Sequence, residues 1–178
     1  MTTAVLALGA NLGDREDQLR TAVAGLGDVL LAVSGLYETP PWGDTDAPPY
    51  LNAVVLAADP SSDATDWLRR CQRLEDTAGR RRDPARRYAP RTLDADVIAV
   101  FTDGLTSPVA SDSAELTLPH PRAAQRAFVL VPLHEIAPDL VLPGEGPVAT
   151  LLDRPEVAAD VPGVRRHGGD NWWKAEPR

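Results

Sequence analysis

The sequence predicts an α+β sandwich of the ferredoxin-like type, with the element order β-α-β-β-α-β. Short apolar runs of strand length alternate with stretches whose apolar residues recur at helical spacing. Each stretch is closed by a glycine, a proline cluster or an aspartate in capping position. Two of the apolar runs follow one another with no helix between them, which splits the pattern into β-α-β and β-α-β halves.

The elements follow in order. TAVLAL, residues 3–8, is short and apolar and ends at Gly9, as a buried strand does. Asp14 is placed to cap a helix, with Asp17 three residues on and Leu19, Ala22, Val23 and Leu26 as its apolar stripe; Gly27 supplies the stop. VLLAVSGLYET, residues 29–39, reads as a second strand, and the prolines of PPWGDTDAPP, residues 40–49, impose a loop. YLNAVVLAA, residues 50–58, is the third strand. Asp63 caps the second helix, whose stripe is Trp67, Leu68, Cys71, Leu74 and Ala78 and whose end is Gly79. An arginine-rich loop precedes the fourth strand, TLDADVIAV, residues 92–100.

LTSPVASDSAELTLPH then reads as a loop or small hairpin, and PRAAQRAFVLVPLHEIAPDL as two short helical pieces divided near Pro132. These are helical additions to one domain spanning residues 1–162. Residues 163–178 form a tail that is either disordered or docked through Trp172 and Trp173.

A chain of 178 residues, 43% hydrophobic and 25% charged, suits one globular domain with a real core. The single cysteine, Cys71, excludes an internal disulfide and a multi-cysteine zinc site and suits a reducing compartment. The opening MTTAVLALGA lacks the basic flank and apolar length of a signal peptide. No stretch approaches the roughly 20 apolar residues of a membrane span. The expectation is a soluble, cytoplasmic protein that binds no membrane. A net charge of −8 opposes general binding to nucleic acid. Against that charge, Arg80, Arg81, Arg82, Arg86, Arg87 and Arg91 gather six of the 18 basic residues in one loop. A positive loop on a negative protein points to a small anionic ligand.

Asp94 and Asp96 are the first candidates for chemistry. Residues i and i+2 of a strand share a face about 7 Å apart, so Thr92, Asp94 and Asp96 face one way and Leu93, Ala95 and Val97 the other. Two hard oxygen ligands on a rigid face suit Mg²⁺, which completes its shell with water and substrate phosphate. The spacing allows one ion or two. A lone Asp-x-Asp is as often a hydrated strand edge; the arginines directly before it favour the metal. Arginine forks grip phosphate, and a loop carrying them can cover charge that develops during phosphoryl transfer.

LGANLGDR, residues 8–15, is a glycine-bearing strand-to-helix turn that reads equally as an anion cradle or a capping turn. Trp42 and Tyr50 flank an amide, Asn52, as a flat heteroaromatic ligand requires, although core packing explains them too. Gln72 and Glu75 share one helix face. His120, Arg126 and Phe128 occur together in LPHPRAAQRAFVL. Of the three histidines, none is paired at metal-ligand spacing, which disfavours zinc.

ALGANLGDR, YETPPWG with YLNAVV, CQRLEDTAGR, YAPRTLDADVI and LPHPRAAQRAFVLVPLHEIAPDL, in this order from about residue 3 to about residue 152, resemble the 6-hydroxymethyl-7,8-dihydropterin pyrophosphokinase family of folate biosynthesis. The resemblance implies mobile loops that close over substrates. It implies transfer of the β,γ-diphosphoryl unit of MgATP to the pterin hydroxymethyl group, with release of AMP. By similarity Asp94 and Asp96 bind two Mg²⁺ ions, and Arg91 with Arg80 or Arg82 contacts phosphates as part of the catalytic set. Gln72, Glu75, Arg82, Arg91, His120 and Arg126 lie along ATP. Tyr50 and Phe128 sandwich the pterin, while Thr39, Pro40, Asn52, Asp94 and the backbone near Trp42 read its edge. The resemblance also implies a monomer with small-molecule substrates as its partners. Tyr88 and Ala89 stand where the family usually has tryptophan and glycine, and Ala95 where it often has leucine, so a modified lid is expected.

Two other readings keep part of this set. A DxD-type phosphoryl or nucleotidyl transferase with another acceptor needs the aspartates and arginines but not the aromatic pair. A catalytically inactive nucleotide-binding module needs neither aspartate.

Overall fold

The computed structural model describes residues 1–41, 46–79, 85 and 92–174. Strand β1 (Thr2–Ala10) runs through the centre of a sheet and pairs antiparallel with both β4 (Tyr50–Asp59) and β5 (Asp94–Thr102). Two short strands, β2 (Leu30–Val33) and β3 (Leu36–Thr39), pair in succession along the far edge of β4. Taken as one strand, they give the spatial order β5-β1-β4-β2/β3, that of the expected ferredoxin-like fold.

Helices α1 (Arg15–Leu26) and α2 (Ala64–Thr77) cover one face of the sheet. Their cause is as read from sequence. Asp14 accepts from the Asp17 N–H, and Asp63 and Asp66 form a reciprocal capping box. Leu19, Ala22, Val23 and Leu26 are the buried residues of α1, and Gly27 closes the helix at φ 56°.

The expected single strand at 29–39 is broken at Ser34–Gly35. The Ser34 hydroxyl accepts from the Val54 N–H at 2.9 Å and donates to the Gly35 carbonyl at 2.7 Å. A side chain thus replaces backbone in the ladder, which breaks the strand. Residues 27–29 form a 3₁₀ turn in place of the strand's first residue.

Beyond β5 come β6 (Ser107–Pro108), the hairpin β7 (Ser111–Asp112) with β8 (Thr117–Leu118), and α3 (Ala127–Ile136). The expected break near Pro132 is absent. Pro132 lies inside α3, forgoing one backbone bond, while Val129, Leu130 and Leu133 pack the helix against the second face of the sheet. A 3₁₀ turn, Ala123–Gln125, precedes it.

The pair β9 (Val141–Leu142) and β10 (Gly146–Pro147) and the short helices α4 (Val148–Leu151) and α5 (Pro155–Ala158) complete this layer. The tail supplies β11 (Arg165–His167), which pairs with β3, and Trp172 is buried at 5% exposure. No helix among the described residues is long and apolar enough to cross a membrane.

Candidate active site

Alternation along the strands divides the second face of the sheet into two ends. Val5, Val54, Leu56 and Ile98 fill the end under α3. On the same face, nearer the start of β5, stand Ala7, Gly9, Asn52, Asp94 and Asp96, which line a cavity of about 260 Å³. Gly9 pairs with Asn52 on one side and Asp94 on the other, so these three form one row across the sheet. Strand β5 starts at Asp94, two residues later than expected, because Gly9 is the last residue of β1 to meet it. The carboxylates therefore stand at the rim, half-buried, while Leu93, Ala95 and Val97 are buried against the helices behind.

Behind the pair, Glu75 is 6% exposed and its Oε1 accepts from the Ala95 N–H at 3.0 Å. It ties α2 to the residue between the aspartates. Cys71, one turn earlier, is buried, and burial followed by the negative charges of Asp96, Glu75 and Asp94 pushes its thiol far up. Gln72 is exposed on α2, and neither it nor Glu75 lines the cavity.

Thr39, Pro40, Tyr50, Asn52 and Phe128 line one part of the cavity and His120, Arg122 and Arg126 another. Asn52 Nδ2 donates to Thr39 Oγ1 at 2.6 Å, which fixes the buried amide with its Oδ1 toward Gly9. A Cβ on Gly9 would meet that oxygen at 2.7 Å and the Tyr50 ring at 3.4 Å. The absent side chain leaves room for a flat ligand between Asn52 and Asp94. Phe128 opens α3, and the Arg126 guanidinium lies 5.5 Å from its ring centroid and 3.9 Å from Asp96 Oδ2.

The His120 N–H donates to the Ile98 carbonyl at 2.8 Å, and its Nδ1 accepts from the Arg122 N–H at 3.2 Å. The ring proton therefore sits on Nε2. Burial first, then the Arg126 charge, lower the His120 pKa to about 4. The unfolded chain takes up this proton near pH 6.5 and the folded protein near 4, so the contribution to stability is complete above 6.5 and is lost as pH falls through 4. In nitrogen-detected NMR of the ligand-free protein, His120 is expected to stay neutral, with Nε2 protonated, from pH 8 down to about 5. A midpoint near 6.5 would contradict this environment.

The turn 8–15 is not only a cap. Arg15 donates to Glu38 Oε2 and to the Pro49 carbonyl, both at 2.9 Å, and Asn11 donates to the Pro48 carbonyl at 3.2 Å. These bonds bind both stems of the segment 40–49. Trp42, Arg80, Arg82 and Arg91 lie outside the described residues, as do Tyr88 and Ala89. Gly9 and Arg122 were missed at the sequence level. Arg122 lies inside the quoted LPHPRAAQR motif, whereas a glycine carries no side-chain signal.

Two carboxylates, three cationic or polar donors and an aromatic pair suit a polyphosphate beside a flat ring. No group of three or more His, Cys, Asp or Glu forms a metal site among the described residues. Asp94 and Asp96 supply two hard oxygen donors at the cavity, a set that fits a hard cation sharing its shell with ligand oxygens.

Residues 5–138 match the model of the 7,8-dihydro-6-hydroxymethylpterin-pyrophosphokinase family. The chain is 44% identical over 164 residues to the 2-amino-4-hydroxy-6-hydroxymethyldihydropteridine pyrophosphokinase of Mycobacterium tuberculosis, covering 89% of this chain and 86% of that protein. It is 45% identical over 172 residues to the Mycobacterium leprae protein of the same name, covering 94% and 87%. The Haemophilus influenzae protein so named is 36% identical over 156 residues, covering 85% and 92%. Among solved structures, wild-type HPPK-DHPS of Plasmodium falciparum with SDX-DHP superposes with a TM-score of 0.66 at 12% identity. The match covers 93% of this chain but 47% of that one, so the chain spans about half of that polypeptide, and the likeness is one of fold.

Proposed function

The chain belongs to the 7,8-dihydro-6-hydroxymethylpterin-pyrophosphokinase family, and from that premise we infer how its cavity performs an ATP-dependent pyrophosphoryl transfer in folate biosynthesis. The observation that carries the reading is the row Asn52–Gly9–Asp94, which sets a ring-sized gap beside the rim carboxylates. The pterin ring lies between Tyr50 and Phe128, and Asn52 and Thr39 read its edge. Pro40, the backbone near Trp42 and Asp94 complete that subsite. Its hydroxymethyl group then points along the strand face toward Asp96.

Asp94 and Asp96 would hold Mg²⁺, two ions in the fullest form, against the phosphate oxygens. The metal would neutralise phosphate charge and draw electrons from the β-phosphorus. The hydroxyl oxygen forms a bond to the β-phosphorus as the bond to the α,β-bridging oxygen breaks, and AMP leaves with that oxygen. The hydroxyl proton passes to Asp96 or to water. Such a displacement depends on alignment and charge compensation more than on covalent help from protein. Arg122, Arg126 and the Nε2–H of His120 face the phosphates, with Arg80, Arg82 and Arg91 joining them from the arginine loop. Gln72 serves the nucleoside end. Glu75 acts through the Ala95 amide, which it holds between the two aspartates. The protein works as a cytoplasmic monomer.

Incubation with MgATP and 6-hydroxymethyl-7,8-dihydropterin is expected to release AMP and the pterin diphosphate in equal amounts. Release of ADP, or nucleotide turnover that does not depend on pterin, would reject the reading. A different acceptor would point to the DxD-type transferase instead.

A further inference from the structure

We propose that the C-terminal segment 161–174, which lies beyond the family match at 5–138, is a strap that positions the pterin-reading end of β3. The inference rests on the ring subsite assigned above.

Strand β3 is four residues long and ends at Thr39, the residue that orients Asn52. One edge of it pairs with β4. The other is closed by β11, with Arg165 opposite Glu38, Arg166 opposite Tyr37 and His167 opposite Leu36. Without β11 this edge would carry open backbone groups. Side chains add to the pairing. Glu135 of α3 accepts from the Gly35 N–H with both oxygens at 3.0 Å, from Tyr37 Oη at 2.8 Å and from Arg166 Nη1 at 3.1 Å.

Arg166 also lies 5.5 Å over the Tyr37 ring and pairs with Asp170. Its guanidinium rests on Gly35 so closely that a Cβ there would stand 2.2 Å from Cζ. Farther along, buried Trp172 donates from Nε1 to the Ser34 carbonyl at 2.9 Å, and its own carbonyl accepts from Arg20 Nε at 2.8 Å. At the near end, a Cβ on Gly163 would stand 3.5 Å from Pro40, which lines the cavity. The segment thus holds residues 34–38, the approach to β3 and most of the strand, and abuts Pro40. The aspartates are carried on β5, across β4 and β1 from β3.

A strap of this kind serves one substrate. Arg166→Ala removes the Glu135 contact, Trp172→Phe removes the Ser34 bond while keeping the buried ring, and Gly35→Ala pushes the guanidinium off without altering the segment. Each is expected to raise KM for the pterin about tenfold, with kcat and KM for ATP within about twofold of wild type. Arg166→Lys restores part of the loss. Deuterium exchange at the amides of residues 36–39 rises in the same variants. Equal losses for both substrates, or an unchanged pterin KM alongside faster exchange, would overturn the proposal. Tyr50→Ala, measured in parallel, separates the two inferences. If it leaves pterin KM unchanged, the ring subsite and the strap both fall; if it raises KM while the strap variants do not, the strap alone falls.

Discussion

Asp94→Ala and Asp96→Ala are each expected to lower kcat/KM about a thousandfold or more, with melting temperatures within a few degrees of wild type. The two effects separate because the side chains stand at the sheet rim over the cavity, whereas the core on this strand is made by Leu93, Ala95 and Val97 behind and Ile98 and Phe101 farther on. Removing a rim carboxylate empties no packed volume, so the large destabilising mechanisms do not apply. What is lost is negative charge facing cations: the metal proposed above, and for Asp96 also the Arg126 guanidinium at 3.9 Å. Asp94→Asn and Asp96→Asn keep the volume and one acceptor oxygen but remove the charge, and should be impaired nearly as severely. Steady-state AMP release and a thermal melt on the four proteins decide the matter. Near-normal turnover in either asparagine variant would remove the metal role from that residue.

Gly9→Ala is expected to raise KM for the pterin by about ten- to a hundredfold through one methyl group that touches no substrate-bound metal. The new Cβ would stand 2.7 Å from Asn52 Oδ1, and the amide cannot simply swing aside because its Nδ2 is held by Thr39 at 2.6 Å. Either the Asn52–Thr39 bond breaks or the row Asn52–Gly9–Asp94 widens, and both spoil the edge proposed to read the ring. The nucleotide contacts proposed above lie on other residues, so the dissociation constant of an unreactive ATP analogue should change less than twofold by titration calorimetry. A Gly9→Ala protein with wild-type pterin KM would mean that the ring does not lie over this row. A comparable loss of nucleotide affinity would instead indicate general damage to the sheet.

Most of the scaffold was readable because it is written in short-range terms. The stripe Leu19, Ala22, Val23 and Leu26, the caps Asp14 and Asp63, and the alternation around Asp94 and Asp96 each depend on neighbours within one or two turns. Pro132 misled because local chemistry disfavours it in a helix, whereas packing of Val129, Leu130 and Leu133 outweighs one missing bond. Ser34 gave no sign that its hydroxyl would stand in for backbone, since that depends on Val54 arriving opposite.

The site divides in the same way. Asp94, Asp96, Asn52 and Phe128 announce themselves by residue type, while Gly9 acts through lacking a side chain. Glu75 sat in plain view, four residues after Cys71 and eight after Trp67, on the buried row of its helix. A carboxylate in that row requires a buried donor, and the donor is the amide between the two aspartates. The fate of the tail was not readable, because Trp172 meets Ser34 and Arg20 only through contacts spanning 138 and 152 residues.

The ladder between β1 and β5 slips by one residue: Val5 faces Ala99 and Leu6 faces Val97, so Ile98 is a supernumerary member of its strand. That surplus changes the parity of everything downstream. An evenly alternating strand could turn both acids toward the substrates or seat Phe101 beneath α3, but could not do both. Transplanting the acidic half into another sandwich would therefore require carrying its kink along, and straightening the kink with every residue kept would leave either the chemistry or the hydrophobic layer facing the wrong side.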